Sequence, residues 1–168
     1  MTPLTLVLIR HAKSSWSDLS QSDHARGLND RGRRAAPLIG RWIRDQNAVP
    51  AHILSSDAVR TRQTTELLQA EWPDTPNTTF DRRLYLAGPD IMLAAIQAQT
   101  APVVGIVGHN PGMAELASML CHTPPAHGRF RDYPTCAATI LTFDVDSWAD
   151  VRPHGGMVKA FAIPRELE

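Results

Sequence analysis

Three short aliphatic runs in this chain stop abruptly at polar, chemically capable residues, and helical patterns separate them. Residues 4–10 read as a strand ending at Arg10-His11, residues 52–56 as a strand passing into Ser55-Ser56, and residues 102–108 as a strand ending before His109-Asn110-Pro111. Between the first two, Asn29 offers an N-cap to a segment in which Ala35, Leu38, Ile39, Trp42 and Ile43 recur at helical spacing, ending at residues 47–50. After the second strand, Ser56 or Asp57 is placed to cap a helix through about Glu71, with Pro73 and Pro76 marking its exit. Residues 78–84 suit a strand, and residues 90–99 a short helix with Pro89 in its first turn. A further helix runs from Pro111, suited to its first position, to about Leu120. Residues 138–144 and 157–164 look like strands with no clear helix between them. Such alternation predicts an α/β sandwich around a largely parallel sheet, with the two late strands candidates for antiparallel pairing. The carboxyl ends of the strands line the ligand crevice in sheets of this kind, so the three polar exits should converge there.

Composition narrows the choices. The 168 residues suffice for one domain and are short for two, and no stretch reads as a linker or repeat, so residues 1–168 are expected to form a single domain. Hydrophobic residues at 43% and charged residues at 20% exclude a disordered or fibrous chain. Lys plus Arg and Asp plus Glu balance at 17 each, which disfavours a nucleic-acid or membrane-surface partner. Cys121 and Cys136 stand far apart and form no CxxC, arguing against a disulfide framework and for a reducing compartment. No apolar run approaches a membrane span, and Arg10 and His11 interrupt the first one too early for a signal peptide; a cytoplasmic protein is expected.

Each exit carries a plausible reagent. At Arg10-His11 a guanidinium fork for anionic oxygens adjoins an imidazole able to attack phosphorus. Arg60 falls in the opening turn of a helix, where free backbone amides already favour an anion. Arg62, two residues on, points elsewhere around the helix, so one of the pair is expected to serve the site and the other to lie on the surface. Gly108-His109-Asn110-Pro111 sets a second imidazole between a strand and a helix, with Gly108 permitting close backbone approach. Taken singly these are weak signals, since an Arg-His pair at a strand end or a His in a tight turn has ordinary structural explanations. Together they outline a cationic pocket in a chain of zero net charge.

The strings Leu8-Ile9-Arg10-His11-Ala12-Lys13-Ser14-Ser15-Trp16, Ser55-Ser56-Asp57-Ala58-Val59-Arg60-Thr61-Arg62-Gln63-Thr64 and Val107-Gly108-His109-Asn110-Pro111 resemble the histidine phosphatase superfamily, also called phosphoglycerate mutase-like. Arg26-Gly27-Leu28-Asn29-Asp30-Arg31-Gly32 is similar to the stretch that opens the family's first helix. Ala12 stands where the superfamily usually has Gly, and Arg-His-Ala-Lys-Ser in a short chain resembles the small phosphohistidine phosphatase (SixA-like) branch. The resemblance implies a three-layer α/β/α sandwich with a mostly parallel central sheet. It also implies His11 as nucleophile and a phosphate pocket of Arg10, Arg60 and His109, with no metal and no cofactor. The implied partner is a phosphorylated protein, such as a histidine-phosphotransfer domain or phosphocarrier. A small phosphate ester, and a non-catalytic phosphate- or phosphopeptide-binding module, are the alternatives.

One departure bears on substrate. Many members carry a catalytic Glu two residues after a Leu beyond the third strand, and here Leu84-Tyr85-Leu86 puts an apolar residue at that place. Alcohol leaving groups need a proton as their bond to phosphorus breaks, whereas imidazole, with a reference pKa of about 6.5, leaves far more easily. The sequence is thereby biased toward phosphoramidates, with Asp18, Asp81 and Asp90 as substitute donors to examine. Elsewhere, His24, His52 and His154 stand apart. Cys121-His122 with His127 fits no recognised zinc spacing, Trp42 and Trp72 are expected within helices, and Trp16 near the nucleophile loop reads as packing or pocket rim.

Overall fold

The computed structural model describes residues 2–168, which form six strands and four α-helices. Strands β1 (Leu4–Arg10), β2 (His52–Ser56), β3 (Asn77–Asp81), β4 (Val103–Gly108), β5 (Ala138–Phe143) and β6 (Met157–Ala162) make one sheet in the order β3-β2-β4-β1-β5-β6. The pairings among β1 to β4 are parallel, and those of β1 with β5 and β5 with β6 are antiparallel. The sheet is therefore mixed, with its parallel half holding the three polar exits.

Side-chain alternation along β1 builds both cores. Leu6 and Leu8 join a cluster with Ile96, Leu116 and Leu120 on one face, while Val7 and Ile9 pack with Ile39, Ile43 and Leu68 on the other. All four β1 residues are fully buried, worth about 1.5–3 kcal/mol each. Helices α1 (Asp30–Asp45) and α2 (Val59–Gln69) cover the second face; α3 (Pro89–Gln97) and α4 (Gly112–Leu120) cover the first. This is the expected three-layer arrangement.

Several boundaries differ from the sequence reading. Neither Ser56 nor Asp57 caps α2: the N-cap is Ala58, with no side-chain cap bond, while the Ser56 hydroxyl is bonded to His109 and the Asp57 carboxylate to His24. Strand β3 stops at Asp81, whose carboxylate accepts from the Arg83 amide at 2.8 Å and turns residues Arg82–Leu84 into a 3₁₀ segment. Pro111 is the N-cap of α4 rather than its first residue. Trp72 lies in the turn beyond α2, buried, donating from Nε1 to the Gly40 carbonyl at 2.9 Å.

Two glycines hold the site loops to their helices. A Cβ on Gly32 would sit 2.2 Å from the Lys13 carbonyl oxygen, so the loop after β1 rests directly on the first turn of α1. A Cβ on Gly112 would sit 2.0 Å from the Ala87 carbonyl, so the turn after β3 rests on α4 in the same way. Only glycine leaves room for either approach.

Candidate active site

The exits of β1, β2 and β4 lie side by side in the sheet, and register places Arg10 opposite Gly108. The His11 amide donates to the Gly108 carbonyl at 3.0 Å, and the His11 carbonyl accepts from the Cys136 amide at 2.9 Å. The Ala12 amide donates to Thr64 Oγ1 at 3.0 Å, and that hydroxyl donates in turn to the Arg60 carbonyl. The loop carrying His11 is thus fixed to β4, to the segment before β5 and to α2.

His11, Arg10, Arg60 and His109, the four residues singled out from sequence, come together. The two imidazoles are 5.3 Å apart between ring centroids, both are buried, and Arg60 is buried beside them. His11 Nδ1 lies 2.7 Å from the Ala12 carbonyl oxygen, which can only accept, so Nδ1 carries the proton and Nε2 keeps its lone pair. Burial pushes the His11 pKa down to about 3, aided by His109, Arg10 and Arg60 against the Ala12 hydrogen bond. Burial, then Arg60, lower His109 likewise to about 3, with Asp23 opposing. Both rings are therefore neutral at pH 7 without an anion in the pocket. Arg10 Nη1 donates to the Tyr133 carbonyl at 3.1 Å, and burial together with Arg60 lowers its pKa.

Among the described residues, three buried side-chain polar atoms lack a protein partner: Arg10 Nε, Arg60 Nε and His109 Nδ1. Folded proteins satisfy almost all such groups, and all three of these belong to one cluster. Two guanidinium Nε–H donors beside an imidazole nitrogen suit the oxygens of a phosphoryl group.

Further residues complete the site that sequence reasoning did not single out. Ser56 Oγ holds His109 Nε2 at 2.8 Å. Asp23, from the irregular loop before α1, accepts from Arg60 Nη2 at 3.0 Å and from the Tyr85 hydroxyl, and its backbone carbonyl accepts from Arg60 Nη1 at 2.8 Å. The Tyr85 hydroxyl first, then Arg60 and Arg26, hold the Asp23 carboxyl well below the usual carboxylate range. Arg26 is buried, bonded to Ser14 Oγ at 2.6 Å and to Asp23, and stacked 3.5 Å from the ring centroid of the exposed Trp16. Tyr85 packs edge-on against His109 at 5.3 Å and against His24 at 4.9 Å. His24, which the sequence left isolated, therefore sits at the site's edge, bonded to Asp57 at 2.8 Å.

The substitute acids are otherwise occupied. Asp18 binds Ser20, Asp81 binds Arg83, and both are lowered by those bonds; Asp90 is exposed in the first turn of α3. Leu86 is 54% exposed with a left-handed φ of 52°, so a carboxylate there would face solvent and gain no pKa elevation from apolar surroundings. Arg62 does point away, its Nε donating to the Asp57 carbonyl and its guanidinium stacked over Phe80 at 4.1 Å. Cys121, His122 and His127 bond separately to Ser118, Thr123 and Glu166, and no group of three metal-ligating side chains occurs among the described residues.

An α/β/α sandwich that gathers two histidines and two arginines at the carboxyl edge of its parallel strands defines the class, and comparison with known proteins names it. The model of the histidine phosphatase superfamily (branch 1) matches residues 6–84. A chloroplastic Arabidopsis thaliana protein of uncharacterised function is 32% identical over 86% of this chain and 69% of its own length. An uncharacterised Mycobacterium tuberculosis protein is 32% identical over 94% of this chain and 100% of its own. This chain belongs to the histidine phosphatase superfamily. Similar solved structures include SixA from Agrobacterium tumefaciens, presented as a candidate phosphohistidine phosphatase, at TM-score 0.78 and 29% identity, covering 98% of this chain and 100% of that one. SixA from Nakamurella multipartitia, presented in the same way, gives TM-score 0.83 and 28% identity, covering 98% of each chain.

Proposed function

We propose that this protein is a metal-independent phosphatase acting on phosphohistidine in a signalling or phosphocarrier protein. The observation that carries the proposal is the clustering of unpartnered buried nitrogens on Arg10, Arg60 and His109 around His11, whose Nε2 keeps its lone pair. His11 Nε2 attacks phosphorus in line; the new N–P bond forms as the bond to the substrate imidazole breaks, and that imidazole takes a proton from solvent. Arg10 and Arg60 neutralise charge on the equatorial oxygens, and neutral His109, its Nε2 accepting from the Ser56 hydroxyl, donates to them from Nδ1. Water then attacks phosphorus, His11 leaves, and inorganic phosphate is released.

The state of Asp23 and Tyr85 supports a good leaving group. Asp23 is firmly ionised, and burial followed by Asp23 raises the Tyr85 pKa above its ordinary value, so neither is tuned to give up a proton near neutrality. Fixed cations take the place that bridging ions hold in metal-dependent phosphatases, and cytoplasmic location accords with two unpaired cysteines. A substrate panel tests the reading. Phosphohistidine peptides and activated aryl phosphates should turn over in the presence of chelator, with phosphoserine and phosphoglycerate far slower. A preference for phosphoglycerate, or turnover restored only by added metal, would overturn it.

A further inference from the structure

A groove of about 860 Å³ adjoins the pocket, with Arg10 in its lining. Lys13 enters it from the nucleophile loop, Arg31 and Arg34 from α1, and Arg165 from the 3₁₀ segment Pro164–Leu167. These four are exposed, and none of their side chains has a hydrogen bond or ion pair to another described residue. Of the other charged residues in the lining, Arg129 and Asp132 pair with each other at 3.0 Å, leaving Glu168 as the acid opposing them. Apolar side chains share the lining, Leu38 and Pro164 among them.

No acid of α1 pairs with Arg31 or Arg34 among the described residues. Arg31, Arg34, Ala35 and Leu38 form one stripe of α1 at spacings of three and four residues, apolar far from the site and cationic near it. The cationic end is the helix N-terminus, where the macrodipole disfavours positive side chains. In a chain of zero net charge, unpaired cations are thus collected against a helix's own field, directly beside the pocket.

We infer that this groove docks an acidic segment of the phosphoprotein substrate, Asp or Glu side chains meeting the four cations and interspersed apolar ones meeting Leu38 and Pro164. The inference rests on the phosphohistidine reading of the adjoining site. Charge complementarity of this exposed kind acts on encounter and KM and weakens with salt.

Two phosphohistidine peptides serve as probes, one flanked by Asp, Glu and Leu, the other with every acid replaced by its amide. At low salt the acidic peptide should show a kcat/KM advantage of about 10-fold, carried by KM and shrinking at high salt. The double variant Arg31→Glu, Arg34→Glu should lose that advantage while turning over p-nitrophenyl phosphate as the wild type does, which also verifies its fold. Fluorescence anisotropy of the acidic peptide lacking phosphate isolates docking from chemistry, and the double variant should bind it about 10-fold more weakly. If neither peptide is hydrolysed yet this variant-sensitive binding persists, docking stands and the phosphohistidine reading fails. Equal kcat/KM for both peptides with equal binding by wild type and variant would overturn the docking site. So would inorganic triphosphate binding the groove more tightly than the peptide, since it would mark a site for small polyanions.

Discussion

The pocket and the groove beside it are both lined by cations, and they hold them in opposite ways. Arg60 is 3% exposed, its two terminal nitrogens fixed by Asp23, and the neighbouring His11 and His109 are buried and neutral. Arg31, Arg34 and Arg165 are exposed, and their side chains are bonded to no other described residue. Rigid, desolvated donors stabilise charge that develops at a fixed point, at a cost in folding stability. Mobile, solvated cations attract a partner without defining where its atoms sit. Changes in the pocket should therefore act on kcat, and changes in the groove on KM and salt dependence.

The largest expected contrast concerns the leaving group. With Asp23 ionised and Leu86 exposed, alkyl phosphates should lag activated aryl phosphates by a factor of about 10²–10⁴, the usual contribution of a general acid. Asp23→Asn should slow both substrate classes by the same factor, through loss of its hold on Arg60. A loss confined to alkyl esters would instead make Asp23 the proton donor.

Next comes the clamp. Arg60→Ala should lower kcat by about 10²–10³, the effect of removing one preorganised donor. Because Arg60 also anchors Asp23, its loss should loosen the loop before α1, readable as faster amide exchange at residues 22–26.

A smaller effect appears in stability. The folded pKa values of His11 and His109 are about 3 against the ordinary 6.5, so between those values the unfolded chain binds more protons. Their contribution is complete above pH 6.5 and is lost as pH falls toward 3. Melting temperature should drop across that window, and the double variant His11→Asn, His109→Gln should flatten the slope. An unchanged slope would show that both rings are protonated in the folded protein. Smallest of all, Arg62→Ala should leave activity within about twofold, as expected for a surface change away from the reaction.

The pocket was legible in the sequence because its residues follow directly on aliphatic runs. Once residues 4–10 and 102–108 are strands in one parallel half-sheet, Arg10-His11 and His109 must meet at its carboxyl edge. Arg60 followed from its place in the first turn of α2. What stayed hidden depends on tertiary contacts without a period. Asp23 and Arg26 lie in a loop whose only regular element is the short 3₁₀ segment Asp23–Ala25, and they reach the site through long-range bonds to Arg60, Tyr85 and Ser14. Tyr85 carries no signal in the sequence because its role rests on the contact with Asp23, and the neighbouring Leu86, with a left-handed backbone, turns to solvent. Ser56 reads equally well as a helix cap or a histidine partner, and only the position of His109 decides between them.

The central claim is that His11 carries the phosphoryl group between substrate and water. Brief incubation with a radiolabelled phosphohistidine peptide, followed by rapid quench, tests it directly. The wild type should retain acid-labile, base-stable label and His11→Ala should retain none, whereas label on His11→Ala at the wild-type level would contradict the account.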